Sequence, residues 1–384
     1  MSASARQRRA TGATPLSAWA ECRRLPAALL LLAAVLLGSA CATLDYYSQS
    51  AAGQLGVMAR RQPVDELIRD PATDPQLRDR LQTVQEIRRF ATEVLALPDN
   101  RSYTLYADIG RPFVVWNVFA APDLSLELKT WCYPFAGCVA YRGYFAEADA
   151  QRFADGLRGQ GYDVYSGGVA AYSTLGWFDD PVLNTVIGLD EARLAGLIFH
   201  ELAHQQLYVA GDTAFNESFA TAVELAGVAA WLAQRGNAAA AGDYERFHAR
   251  QLAFHALVAR ARDRLQAVYA SGLGAGDQRR EKRRLIEDLR RDYAAMKRDW
   301  GGADDFGGWF AADINNAQLA ATAAYREYLP AFRALLEQAG GDYAAFYARA
   351  AEIGHLPAGA RARELRTLAD GEPGIHAGTG PPGS

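Results

Sequence analysis

Residues 191–224 constrain the fold more than any other stretch of the chain. Positions 191–210 contain one glycine, Gly196, and no proline, and their apolar residues, among them Leu194, Leu197, Ile198, Leu202, Leu207 and Val209, suit a buried helix. Gly211 can end that helix and Asp212 or Thr213 can cap another, carried on by "FNESFATAVE". Two helices joined by so short a break fold back on each other as a tight hairpin. The chain has six histidines, and two of them, His200 and His204, fall one helical turn apart in "LIFHELAHQQ".

On one helix face, both imidazoles can reach a single ion, and Glu201, about a third of a turn round from His200, can face a water bound to it. Standing alone, the pentapeptide also reads as a pair of hydrogen-bonded core histidines. Twelve residues separate His204 from Glu217, and the hairpin brings that carboxylate level with the histidines, where it is either a third ligand or a solvated or capping group. Two histidines and a glutamate leave a fourth zinc position open, the arrangement of catalytic rather than structural zinc. Glu224, two turns beyond Glu217 on the same face, is placed to orient a ligating imidazole, the other reading being a plain surface glutamate. The expected cofactor is therefore Zn2+, one per chain, held by His200, His204 and Glu217.

Composition excludes several function classes. Half of the 384 residues are hydrophobic and 22% are charged, so a packed core is expected rather than wholesale disorder. Residues 41–384 carry 35 basic and 43 acidic side chains, which argues against nucleic acid as a partner. No nucleotide cofactor is expected either. The charge run "RREKRRLIEDLRRD", 279–292, is a helix face of mixed sign. His248, His255 and His355 have no partner pattern.

The N-terminus reads as an export signal, residues 1–40, in which Arg6, Arg8, Arg9, Arg23 and Arg24 precede the apolar run "LPAALLLLAAVLLGSAC". That run is short for a membrane span and ends in small residues before Cys41. "LLGSAC" is similar to a bacterial lipobox, with Gly38 where a leucine is usual, so Cys41 is expected to carry a lipid anchor. Plain secretion and an uncleaved anchor are the alternatives. The expected location is the bacterial cell envelope, as a periplasm-facing membrane lipoprotein. In such an oxidising compartment Cys132 and Cys138, in "WCYPFAGCVAYRG", can close a small disulfide loop, or stand as two buried thiols.

The pattern predicts an α+β fold, mainly helical, with a small mixed or antiparallel sheet beside the metal-binding helix. Helical spacing covers 44–60 and 75–97. Short runs rich in Tyr, Val, Trp and Phe between 103 and 142 read as strands: "YTLYADI", "PFVVWNVFAAP" and "GCVAYRG". A helix follows near 146–159, then a glycine-interrupted strand and a loop, and 190–350 is largely helical, with a hairpin of two long charged helices at about 243–270 and 277–299. The expected organisation is one domain over 41–370, strand-rich at about 100–175 and helical and metal-binding at about 190–350, followed by a disordered tail at 371–384.

HExxH followed by an Asn-Glu helix is the gluzincin pattern, and "NESFATAVE" resembles the stretch around the third ligand in the alanyl aminopeptidase and leukotriene hydrolase group, where a second acid also follows by seven residues, as Glu224 does here. More broadly, "WNVFAAP", "WCYPFAGCVAYRGYF", "AYSTLGWFDDPVLNT", "FHELAHQQLYVAGDTAFNESFAT" and "NNAQLA" together resemble a bacterial lipoprotein family of "putative aminopeptidases", over most of the chain after the signal. The resemblance implies a zincin-like zinc metallopeptidase domain, a peptide substrate and aminopeptidase activity. Two features depart from the better-known gluzincins: the twelve-residue spacer is shorter than the roughly eighteen usual there, and no Gly-x-Met-Glu-Asn stretch is present to bind a free amine. Endopeptidase action therefore stays open beside aminopeptidase action.

The chemistry implied is hydrolysis in which Glu201 takes the proton of the attacking water and passes it to the leaving amine. An oxyanion stabiliser is also needed, and Tyr172 in "AYSTLGWF" and Tyr325 in "NNAQLAATAAYREYLPAF" are the candidates. Tyr172 lies on a segment just before the metal helix, where zincins place a substrate-pairing strand. The metzincin extension would need Gly at 207 and His at 210, where Leu207 and Ala210 stand, and there is no Gly-x-Ser-x-Gly elbow. The rival from another class is a non-enzymatic envelope lipoprotein braced by a structural zinc.

Overall fold

The clearest period-2 stretch, "VWNVFAAP", forms the central strand of a sheet in the computed structural model, which describes residues 46–133, 137–171, 174, 178–322 and 327–371. The signal 1–40, Cys41, Tyr172, Tyr325 and the tail from 372 lie outside the described residues. The chain divides into two units, Met1–Gln54 and Leu55–Ser384. Of the first, residues 46–54 are described and are helical. The second is α+β and mainly helical.

Three small sheets occur among the described residues. In the first, β1 (Arg61–Pro63) pairs antiparallel with β2 (Leu105–Ala107), which pairs parallel with β8 (Val182–Leu183). In the second, β3 (Val115–Pro122) lies between β6 (Arg142–Tyr144) and β7 (Tyr162–Val169), antiparallel to both, which leaves β7 as an edge strand. Alternation along β3 buries Trp116, Val118 and Ala120 on one face. The third is a hairpin of β4 (Trp131–Tyr133) and β5 (Gly137–Val139), in which Cys132 faces Cys138 in register and a disulfide joins them. Only Leu105–Ala107 of the expected "YTLYADI" strand pairs, because Tyr103 takes a φ of 63° and turns the backbone out of extended geometry.

The helices follow the expected order. Within the second unit the numbered helices begin with α1 (Val64–Arg69), which the sequence pattern did not predict, and α2 (Pro75–Glu93); α2 stops short of residue 97, just before Ala96 takes a φ of 51°. Next come α3 (Glu147–Gly159), the metal-motif helix α4 (Glu191–Gln206) and its partner α5 (Thr213–Gln234). A long hairpin of α6 (Ala238–Tyr269) and α7 (Ala275–Asp299) is followed by α8 (Gly307–Ala311), α9 (Asn316–Thr322), α10 (Leu329–Gln338), α11 (Tyr343–Gly354) and α12 (Ala358–Ala369).

Two hydrophobic clusters hold these elements. The larger gathers α2, α4, α5, α10 and α11, with Leu194, Ile198, Phe199 and Leu202 of α4 and Phe215 and Phe219 of α5 fully buried. Burying each of these large side chains stabilises the fold by about 1.5–3 kcal/mol, so the metal-motif helix is fixed on its apolar side before its polar face is considered. The smaller lies between α6, α7 and the segment 306–319, where Phe254 stacks on Phe306 at 4.1 Å and Tyr293 on Phe310 at 3.9 Å. A polar bracket joins the α6–α7 hairpin to the β3–β7 sheet. The buried Lys282 ammonium donates to Asp163 at 2.6 Å and to the Asp123 carboxylate at 3.0 Å, and the Asn316 amide donates to the carbonyls of Pro122 and Asp123.

Candidate metal centre

The site is built on the α4–α5 hairpin. The Asp190 side chain caps α4 at Arg193 N, and the Asp212 side chain caps α5 at Phe215 N. Helix α4 ends at Gln206, sooner than a stop at Gly211, because the segment after Leu207 is held extended by a side chain: the buried Asn216 amide accepts from Val209 N–H at 2.7 Å and donates to Val209 C=O at 2.9 Å. Gly211, at φ 79°, makes the turn into the Asp212 cap. Asn216 thus fixes the loop while its neighbour Glu217 points to the histidines.

The donor atoms of His200, His204 and Glu217 converge among the described residues. His200 Nε2 lies 3.2 Å from His204 Nε2 and 3.4 Å from Glu217 Oε2, and His204 Nε2 lies 3.6 Å from Glu217 Oε1. Donors bound tetrahedrally to zinc at about 2.0–2.1 Å stand roughly 3.3–3.4 Å apart, close to the separation of the two Nε2 atoms, and each imidazole has one Glu217 oxygen at a similar distance; with one donor atom taken from each residue, the three lie within 4.8 Å of one another. The donor set itself also fits. The His200 Nδ1 lies 2.9 Å from Glu224 Oε2, and with that proton on Nδ1 the neutral ring presents its lone pair at Nε2, towards His204 and Glu217. His204 Nδ1 is buried with no hydrogen-bond partner among the described residues.

Electrostatics separate the three neighbours on α4. Burial alone would lower the His200 imidazole, but its hydrogen bonds with Glu217 and Glu224 and the nearby carboxylate charges outweigh burial and hold it up at about 10. Burial, helped by the charges of Glu217, Asp180 and Glu224 against the pull of His200, raises the Glu201 carboxyl to about 7. Burial and the charge of His200 push His204 down to about 4. Glu201 is thus a carboxyl that gains and loses a proton near neutrality, the range in which a general base works best.

Several residues at the site have no motif in the sequence. Buried Arg88 of α2 donates to the carbonyls of Pro98, Asn100 and Ser102, gathering the loop 98–103. Gln205 of α4 straps that loop to the metal-motif helix, accepting from Asn100 Nδ2 at 2.6 Å and donating to Ser102 Oγ at 3.2 Å. Tyr103 follows, with its N–H on Asp180 C=O at 2.7 Å and its ring 5% exposed. Burial, then the charges of Glu201 and Asp180, push its phenol well above the ordinary range, so this ring shares the electrostatic environment of the base. Tyr244 of α6 donates from its hydroxyl to Glu224 Oε1 at 2.6 Å.

With the geometry in hand, the comparison with known families decides the membership. The family described as "Putative aminopeptidase" matches residues 45–365. The chain belongs to this family. The span of the aminopeptidase match takes in every helix that supplies a donor atom to the centre, together with the strap loop and Tyr244. No curated protein and no solved structure matches the chain. The aminopeptidase family implies a hydrolase acting on peptides and a peptide as partner, and the His200, His204 and Glu217 group is one that can hold a metal ion.

Proposed function

We propose that this protein is a zinc metallopeptidase of gluzincin type with a zincin-like fold, an aminopeptidase of the bacterial cell envelope anchored through an acylated Cys41. The observation that carries the reading is the convergence of His200 Nε2, His204 Nε2 and the Glu217 carboxylate, whose donor atoms lie within 4.8 Å of one another on two adjoining helices. Zinc bound there supplies Lewis acidity and an acidified water. The rest is the work of the chain. His200, His204 and Glu217 hold the ion, and Glu224 fixes the His200 ring at Nδ1. The Glu201 carboxylate takes the proton of the attacking water and returns it to the nitrogen of the leaving amine. In the metal-free protein, burial raises this carboxyl to about 7, so the group binds and releases a proton near neutrality.

The test separates ligand from base. His204→Ala and Glu217→Ala each remove a donor, so bound zinc and peptide cleavage are expected to fall together. Glu201→Gln leaves all three donors, so zinc is expected to stay near one per chain while cleavage drops by about a hundredfold or more. Cleavage at wild-type rate in zinc-loaded Glu201→Gln overturns the mechanism and leaves a zinc that only braces the hairpin. Running the assay on peptides with free and with acetylated N-termini distinguishes aminopeptidase from endopeptidase action.

A further inference from the structure

We propose that Tyr244 is a positioning residue for the metal ligand His200, acting through Glu224, and that Gly196 is the notch that admits it. The proposal rests on the reading of His200 as a ligand. The Glu224 carboxylate is held at both oxygens: Oε2 is 2.9 Å from His200 Nδ1, and Oε1 accepts from the Tyr244 hydroxyl at 2.6 Å. A carboxylate tied at one oxygen only can turn about its last torsion, and the imidazole it orients turns with it. Tied at both, it offers Nδ1 a single direction, which sets where Nε2 points.

Gly196 explains how a tyrosine from α6 reaches that oxygen. It precedes His200 by four residues, so it occupies the same face of α4 one turn earlier. A Cβ on residue 196 would stand 2.6 Å from the Tyr244 hydroxyl oxygen and 3.4 Å from Glu224 Cγ and Oε1. The first distance is not sterically possible, so any side chain here displaces the hydroxyl. Glycine inside a buried helix costs about 1 kcal/mol relative to alanine, and this one is kept where the neighbouring hydroxyl occupies the space of a methyl. Tyr244 also lines a cavity of about 590 Å³ with Leu225, Ala229, Leu232, His248 and Leu252. A ring pushed off Glu224 therefore has space to enter without unfolding the helices.

Zinc affinity measured by chelator competition, with the absorption spectrum of the cobalt(II)-substituted protein, tests the relay in Tyr244→Phe, Gly196→Ala and the double variant. Each single variant is expected to bind zinc about tenfold more weakly, the low end of the roughly 10–100-fold lost when an outer partner of a ligand is removed. Each is also expected to change the cobalt bands, and the double variant to be no weaker than either single one, because both break the same contact. The melting temperature of metal-free Tyr244→Phe is expected to stay near that of the wild type. Wild-type zinc affinity and cobalt bands in Tyr244→Phe overturn the relay alone. A wild type that takes up no zinc overturns the ligand reading and the relay with it. Additive losses in the double variant overturn the assignment of Gly196 to the same contact.

Discussion

His200 and Glu201 are adjacent in the chain and hold their protons for opposite reasons: His200 because carboxylates surround it, Glu201 because burial disfavours its charge. His200 titrates at about 10 in the fold against 6.5 as a free group. Without metal, its ion pairs therefore stabilise the fold fully below pH 6.5, and that contribution is lost as pH rises through about 10. A cation at Nε2 must displace the same proton. Between the Glu201 value of about 7 and the His200 value of about 10, the logarithm of zinc affinity is expected to rise by about one unit per pH unit. Competition with a chelator of known pH dependence measures this slope, and a flat profile contradicts a protonated His200. The common face of His200 and His204, with Glu201 beside it, was legible in the sequence because helical spacing alone sets it, whereas Glu217 on the next helix was legible only through the hairpin. Tyr103 and Tyr244 were not, since each reaches the site from another element by tertiary packing. Gly196 left a trace, as the one glycine in 191–210 of a buried helix.

At the scale of elements, the loop between α4 and α5 sets where the third donor lies. Asn216 is 2% exposed and spends its whole amide on Val209. Asn216→Ala takes the acceptor from the half-buried Val209 N–H, while Val209 C=O keeps Asp212 N–H at 3.2 Å, and is expected to destabilise the protein by about 1–2 kcal/mol in urea unfolding, with weaker metal binding because Glu217 is the next residue. Asn216→Asp keeps the acceptor for Val209 N–H and is expected to recover part of that loss. An alanine variant as stable as the wild type would refute this role. The sequence foretold the helix pair and offered Asp212 or Thr213 as the cap, of which Asp212 is the one used. It did not foretell the end of α4 at Gln206, because that end is decided by a side chain of the following helix. The stretch "NNAQLA" was legible only as a resemblance, and in the fold Asn316 is part of the bracket between the β3–β7 sheet and the α6–α7 hairpin.

At the scale of the whole molecule, the α+β class and the helical second half were legible because hydrophobic periodicity persists over long stretches. Strand pairing was not, since register joins segments far apart, as Tyr106 with Val182. No helix among the described residues is long and apolar enough to cross a membrane. The proposed attachment at the envelope rests on the sequence around Cys41. In a bacterial host, labelled palmitate is expected to enter the wild-type protein and to be lost in Cys41→Ser, as read by autoradiography. Equal labelling of both proteins removes the anchor from the reading.

The compactness of the donor set along the chain has a bearing on how the molecule folds. His200, His204 and Glu217 fall within eighteen consecutive residues, on two helices that pack directly on each other. Closing so short a segment costs little chain entropy, whereas the β2–β8 pairing and the bracket at Lys282 wait on segments more than seventy residues apart. The α4–α5 hairpin is thus the part of the structure that can order earliest, and a cation captured there would fix the crossing of the two central helices while the sheets are still unpaired. The three donors proposed to serve the hydrolase would then also set the order of assembly.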